Sequence, residues 1–202
     1  MSVRLIVVRH GQTRCNVHNI WHGWDECDLT EEGLTQARAV GRRLTGEPIA
    51  GVYSSPSRRA LQTAEAVAEP HGLLPVIEPG LRERNAGEYE GVLVDEVVAQ
   101  NPTIWEDRAR DYWQWRPPGG ESFHDVLART MEVVDRIRAR HEGETVVIAT
   151  HMGPSRMLVS SLAGIPIEKT FQMEFPSTGI SIFSLDGDEV AVELLNDGAH
   201  VL

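Results

Sequence analysis

The sequence predicts an α/β fold of three layers: a mostly parallel central sheet flanked by helices, with a small helical cap at about residues 92–118. Three observations predict it. Short β-like runs alternate with amphipathic helical segments along the whole chain. The run Thr-Val-Val-Ile-Ala-Thr at 145–150 reads as a buried strand. The 202 residues suffice for one sizeable domain with a real core, and no linker, repeat or low-complexity stretch divides them.

Residues 3–8 read as the first strand, followed by a long loop to about Asp28. Thr30 is placed to cap a helix in which Leu34, Ala37, Val40 and Leu44 fall at helical spacing, with Glu31 and Glu32 in its first turn. A second strand is expected at 50–54, a helix at 57–68 and a short strand at 74–77. Residues 79–91 read as loop. One or two helices are expected between Val92 and Trp115, broken near Asn101-Pro102. Pro117-Pro118-Gly119-Gly120 is a firm stop. Ser122 then begins a long helix with Phe123, Val126, Leu127, Thr130, Val133, Val134 and Ile137 on one face. After the strand at 145–150 comes a helix at 154–162. A closing hairpin, 180–185 and 189–195, turns at Asp186-Gly187.

Nineteen Lys+Arg against thirty Asp+Glu give a formal charge of −11. An acidic chain repels polyanions, so nucleic acid and anionic membranes are not expected partners. No signal peptide, lipidation motif or membrane-length apolar run is present, and a cytoplasmic location is expected. Cys15 and Cys27 are expected to be free thiols there. His71, His124, His141 and His200 are expected to face solvent. The closing hairpin offers an edge that could pair subunits, but nothing in the chain indicates a homodimer.

Three predicted strands end in reactive residues: Arg9-His10-Gly11, Ser54-Ser55 followed by Arg59, and His151. In open α/β sheets the ligand crevice lies beyond the carboxyl ends of the strands, so these residues are candidates to converge. Two imidazoles, two fixed guanidinium forks and the carboxyl group of Glu83 would suit a dianionic phosphoryl group. No Walker loop, HExxH motif, dinucleotide fingerprint or cysteine-phosphatase loop is present, and neither metal nor cofactor is expected. His18 and His22 are four apart, but no acid accompanies them as a metal ligand.

Val8-Arg9-His10-Gly11-Gln12-Thr13 with Asn16 resembles the opening motif of the histidine phosphatase superfamily, the phosphoglycerate-mutase-like family. Gly23-Trp24, Asp28 to Gly33, Ser54-Ser55-Pro56 with Arg59-Ala60, Leu81-Arg82-Glu83, Gly119-Gly120-Glu121-Ser122 and Thr150-His151 are similar to its later blocks, in the family's order. The resemblance implies a metal-independent reaction on a small phosphorylated substrate. His10 would become phosphorylated, with Arg9, Arg59 and His151 holding the oxygens. Glu83 would protonate the leaving oxygen and then assist the attacking water. Asn16, Gly11, Thr13, His22, Gly23 and Met152 would border the substrate. The short segment 92–118 lacks the adjacent arginine pair of the family's mutases, and Ala86 and Cys15 depart from the mutase pattern. Phosphoric monoester hydrolysis is therefore expected. A phosphoglycerate mutase, which Gly23-Trp24 and Asp28 favour, and a catalytically weak phospho-ligand binder are the alternatives. Trp21, Trp24, Trp105, Trp113 and Trp115 are expected to pack the cap; the other reading is an aromatic lid, with Arg108, Arg110 or Arg116 meeting a second anionic group.

Overall fold

The apolar run that opens the chain forms strand β1 (Ser2–Arg9). Its side chains alternate between two cores: Val3, Leu5 and Val7 enter one, Ile6 and Val8 the other. Strand β4 (Thr145–Thr150) does the same, with Val146 and Ile148 on one face and Val147 and Ala149 on the opposite one. A strand covered on both faces has no polar side to display, which is why the run is continuously apolar. The computed structural model describes residues 2–201. Its other strands are β2 (Ile49–Ser54), β3 (Val76–Ile77), β5 (Ile180–Asp186) and β6 (Glu189–Asp197). They form one sheet in the order β3-β2-β4-β1-β5-β6. The first four strands are parallel, and the closing hairpin adds β5 and β6 antiparallel.

The helices are α1 (Arg14–Val17), α2 (Glu31–Leu44), α3 (Arg58–Ala68), α4 (Val94–Gln100), α5 (Ile104–Arg110), α6 (Phe123–Arg140), α7 (Met152–Leu162) and α8 (Ile167–Thr170). Helices α2 and α3 cover one face of the sheet through Val40, Leu44, Ala64 and Val67. Helices α6 and α7 cover the other through Val133, Val134, Ile137, Leu158 and Val159. Thr30 caps α2 by accepting from the Gly33 N–H. Ser122 caps α6 in a reciprocal box with Asp125. Each such cap is worth about 1 kcal/mol.

Several boundaries differ from the sequence expectation for local reasons. Helix α7 starts two residues before Pro154, because a proline in the first turn removes only a donor that has no intrahelical partner. The third strand shrinks to the exposed edge pair Val76–Ile77. The loop after β1 contains α1, nucleated by a capping box between Thr13 and Asn16. Among the described residues no helix is long and apolar enough to cross a membrane.

Candidate active site

The sheet register brings the two histidines together. Arg9 pairs with Thr150 across β1 and β4, and the His10 N–H donates to the Thr150 carbonyl at 2.9 Å. The next residues, His10 and His151, therefore leave adjacent strand ends with ring centroids 5.1 Å apart. The end of β2 lies on the other side of β4, and the Ser55 N–H donates to the Ala149 carbonyl at 3.1 Å. Ser55 Oγ lies 2.8 Å from His151 Nε2.

Hydrogen bonds decide which ring nitrogen of each histidine carries the proton. His10 Nδ1 lies 2.6 Å from the Gly11 carbonyl oxygen, which can only accept. Nδ1 is thus protonated, and the Nε2 lone pair of a neutral ring is free. The Gly11 N–H donates to Thr63 Oγ at 3.2 Å. Gly11 therefore supports the imidazole from behind and does not line the cavity. In His151, Nδ1 accepts from Arg59 Nε at 3.2 Å, which leaves Nε2 as the donor. Both histidines are fully buried or nearly so. Burial first, then the neighbouring Arg59, holds both pKa values well below the ordinary 6.5; Arg9 adds to this at His10. His22, with its ring centroid 6.4 Å from that of His10, is lowered by the same burial and by Arg59.

Arg59, near the start of α3, is completely buried. Besides His151, its N–H groups meet the carbonyls of Gly23 at 2.7 Å and Asp25 at 3.0 Å. Gly23 must be glycine because a Cβ would come within 2.2 Å of the Arg84 carbonyl. Thr13 is buried in the capping box, where Asn16 Oδ1 accepts from its N–H and hydroxyl. Arg9 donates to the Phe175 carbonyl, and its buried Nε has no partner.

Glu83 stands at the start of α7. Both its carboxylate oxygens lie 3.1 Å from the Gly153 N–H, and Oε1 also accepts from the Arg84 N–H at 2.7 Å. Arg129 of α6 clamps this loop by donating to the carbonyls of Gly80, Arg82 and Glu83 while pairing with Glu121. Trp24 Nε1 adds a bond to the Glu83 carbonyl at 3.0 Å.

A cavity of about 260 Å³ opens on these groups. Arg9, His10, Asn16, His22, Glu83 and Met152 line it; Gly11, Thr13, Gly23, Arg59 and His151 stand behind its wall. Trp21, Trp105 and Arg108 also face it, whereas Trp113 packs against the buried cluster of Phe123, Val126, Met157 and Ile167. Arg110 and Arg116 pair with Asp107 and Asp125. Arg84, Arg156 and Phe123 are lining residues that the sequence reading missed. An arginine beside the apolar run Met157-Leu158-Val159 was the available signal for Arg156. For Arg129 there was none, since its partners are backbone carbonyls supplied by tertiary structure.

Two expectations need correction. Cys15 and Cys27 are joined in a disulfide rather than free. The Thr13–Leu29 bridge folds the loop back on itself and brings the two α-carbons to 6.3 Å. His141 is buried rather than solvent-facing: Nε2 lies 2.8 Å from the Tyr53 hydroxyl and Nδ1 2.7 Å from Glu144. Of the other three, His124 is exposed, and His71 and His200 are half-buried.

The model of the histidine phosphatase superfamily (branch 1) matches residues 5–198. The chain belongs to that superfamily. It is 29% identical to phosphoserine phosphatase 1 of Hydrogenobacter thermophilus, covering 98% of this chain and 94% of the relative. It is 33% identical to a 2,3-bisphosphoglycerate-dependent phosphoglycerate mutase of Methylobacterium radiotolerans, covering 93% and 92%. Among solved structures, a mycobacterial glucosyl-3-phosphoglycerate phosphatase with VO3 superposes with a TM-score of 0.88 at 29% identity, covering 96% of this chain and 98% of that one.

Proposed function

We propose that this superfamily member hydrolyses phosphoric monoesters of small metabolites through a phosphohistidine on His10. The observation that carries this reading is a neutral imidazole whose Nδ1–H is tied to the Gly11 carbonyl, with its other nitrogen at a cavity that Glu83 also lines. Nε2 attacks phosphorus in line, forming an N–P bond as the ester P–O bond breaks. Glu83 delivers a proton to the departing oxygen. A water molecule then attacks the phosphohistidine, Glu83 takes a proton from it, and inorganic phosphate leaves. Arg9 and Asn16 hold nonbridging oxygens from the cavity wall, where donors meet the charge that develops. Arg59 and His151, one layer back, join them by exchanging their bonds to the Gly23 and Asp25 carbonyls and to Ser55 for phosphoryl oxygens. His22 and Met152 border the substrate. Gly11, Thr13 and Gly23 act one layer back, by shaping the loop that carries Asn16 and His22. Residues 92–118 form the cap over the cavity.

A phosphoserine phosphatase, a glucosyl-3-phosphoglycerate phosphatase and a phosphoglycerate mutase all stand among the relatives. Hydrolysis is favoured over mutase transfer because the short cap segment carries no adjacent arginine pair. Time-resolved phosphorus NMR with 3-phosphoglycerate and an aryl phosphate tests this, with and without 2,3-bisphosphoglycerate. Inorganic phosphate released from the aryl ester, and lost in His10→Ala, is the expected result. Rapid formation of 2-phosphoglycerate would establish the mutase reading instead.

A further inference from the structure

The disulfide lies at the edge of the active-site cavity. Cys15, in α1, lines that cavity and is joined to Cys27, which is only 9% exposed. The bond closes the loop after β1 on itself, next to the Thr13–Leu29 bridge. The residue that follows Cys15 is Asn16, which also lines the cavity. Its Oδ1 accepts from the Thr13 N–H at 3.0 Å and from the Thr13 hydroxyl at 2.9 Å. Nδ2 is thereby left as its donor for an anion.

Beyond that capping box, little holds Asn16 in place. Helix α1 has four residues and buries none of them. Arg14, Val17 and the following His18 are exposed. A single turn has too few hydrogen bonds to offset the entropy of its own ordering, and an apolar face packed on the core normally supplies the rest. In α1 the Cys15 sulfur takes the place of that face through its bond to Cys27, and the Cys15 N–H lies 3.1 Å from Cys27 Sγ. The farther part of the loop is secured differently. Glu90 accepts from the N–H groups of Gly23 and Trp24, both at 2.8 Å, and Arg59 donates to the carbonyls of Gly23 and Asp25. Opening the disulfide therefore frees the turn that carries Asn16 and leaves Gly23, beside His22, anchored.

We propose that Cys15 and Cys27 form a redox site through which a dithiol reductant controls the active site. The disulfide holds Asn16 against the phosphoryl group, and the two thiols release it. The inference rests on the reading of the His10 cavity as a phosphoryl site. A thiolate of the reductant attacks Cys15 Sγ, the less buried sulfur, and forms a mixed disulfide. The bond to Cys27 breaks, and Cys27 leaves as a thiolate that takes up a proton. The reductant's second thiol then attacks the mixed disulfide and releases Cys15. The reductant ends as a disulfide, and two electrons and two protons have passed to the protein. By linkage, if oxidation strengthens anion binding, a bound anion stabilises the disulfide by the same factor.

Oxidised and dithiothreitol-reduced wild type are compared at room temperature. Calorimetry with inorganic phosphate should show about tenfold weaker binding to the reduced form. The kcat/KM on an aryl phosphate should fall about 10- to 100-fold, the range for one charge-assisted hydrogen bond. In Asn16→Ala the same reduction should change kcat/KM by less than about twofold, because the contact is already gone. Saturating phosphate should make the disulfide about 30 mV harder to reduce, which is the tenfold ratio converted for a two-electron couple. A dithiothreitol redox titration followed by thiol labelling reads that shift. The double variant Cys15→Ser, Cys27→Ser should match the reduced wild type and ignore the reductant. Phosphate affinity and kcat/KM within about twofold between the two redox states would overturn the proposal. So would an equal loss on reduction in Asn16→Ala, which is what general loosening or unfolding of the chain produces. Oxidised protein that binds phosphate without hydrolysing the aryl ester would sink the phosphatase reading, and the affinity ratio would still decide the redox site. Oxidised protein that hydrolyses the ester, with a flat ratio, would keep the phosphatase and remove the redox control.

Discussion

Gly153→Ala isolates the position of Glu83 from its chemistry. A Cβ at residue 153 would stand 2.2 Å from Glu83 Oε1, and ordinary contact begins at 3.4 Å. The carboxylate must therefore retreat by about 1.2 Å, by difference from the same distances. It would then lose its hydrogen bond to the Gly153 N–H. The clashing atom is the end of a flexible side chain, so the fold survives while Glu83 moves. Alanine also favours a helix over glycine by about 1 kcal/mol, so Tm should hold or rise. A misplacement of about 1 Å costs on the order of 10²-fold, and a general acid is worth roughly 10²–10⁴-fold. The expected loss in kcat on an alkyl phosphate is therefore about 10²-fold, or about 2.7 kcal/mol. Steady-state assays compare an alkyl phosphate with an aryl phosphate, whose phenolate leaves with less help from an acid. The aryl ester should lose far less, and Glu83→Gln should show the same selectivity. Equal losses on both esters would refute the reasoning. So would an alkyl kcat within threefold of wild type, or a Tm several degrees lower.

His10 and His151 are held neutral below pH 6.5, whereas an unfolded chain protonates histidine near that value. The unfolded state then binds more protons, so stability falls with pH below about 6.5, by up to about 1.4 kcal/mol per histidine per pH unit. Urea midpoints from pH 7 to 5 read this, and His10→Ala should flatten the slope; an unchanged slope would count against it. Reducing the disulfide between Cys15 and Cys27 should cost about 3 kcal/mol by loop entropy, a Tm drop of roughly 6–12 °C. Thermal scans with and without a reductant check it. Arg129→Met removes the clamp on the carbonyls of Gly80, Arg82 and Glu83. It should lower kcat on alkyl esters more than on aryl esters, and a uniform loss would assign Arg129 to stability alone.

The strands, the capped helices and the candidate residues His10, Arg9, Arg59, Glu83 and His151 could be picked out in the sequence. Apolar periodicity and capping are local properties, written within a few residues of where they act. The convergence of the strand ends could be anticipated from the rule for open sheets. The pairing itself needed the register of β1 against β4, which no local pattern specifies. The free-thiol expectation failed because a bridge between Thr13 and Leu29, not the compartment, brings the cysteines together. His141 looked like a surface residue until Tyr53 and Glu144 closed around it. Arg84, Arg108 and Arg156 come from a loop, helix α5 and a sheet-covering helix. Their common cavity exists only once those three elements pack. Sequence by itself determined which chemistry the chain carries. Tertiary structure decided which donors are left facing the substrate, because burial and hydrogen-bond partners depend on neighbours distant in sequence.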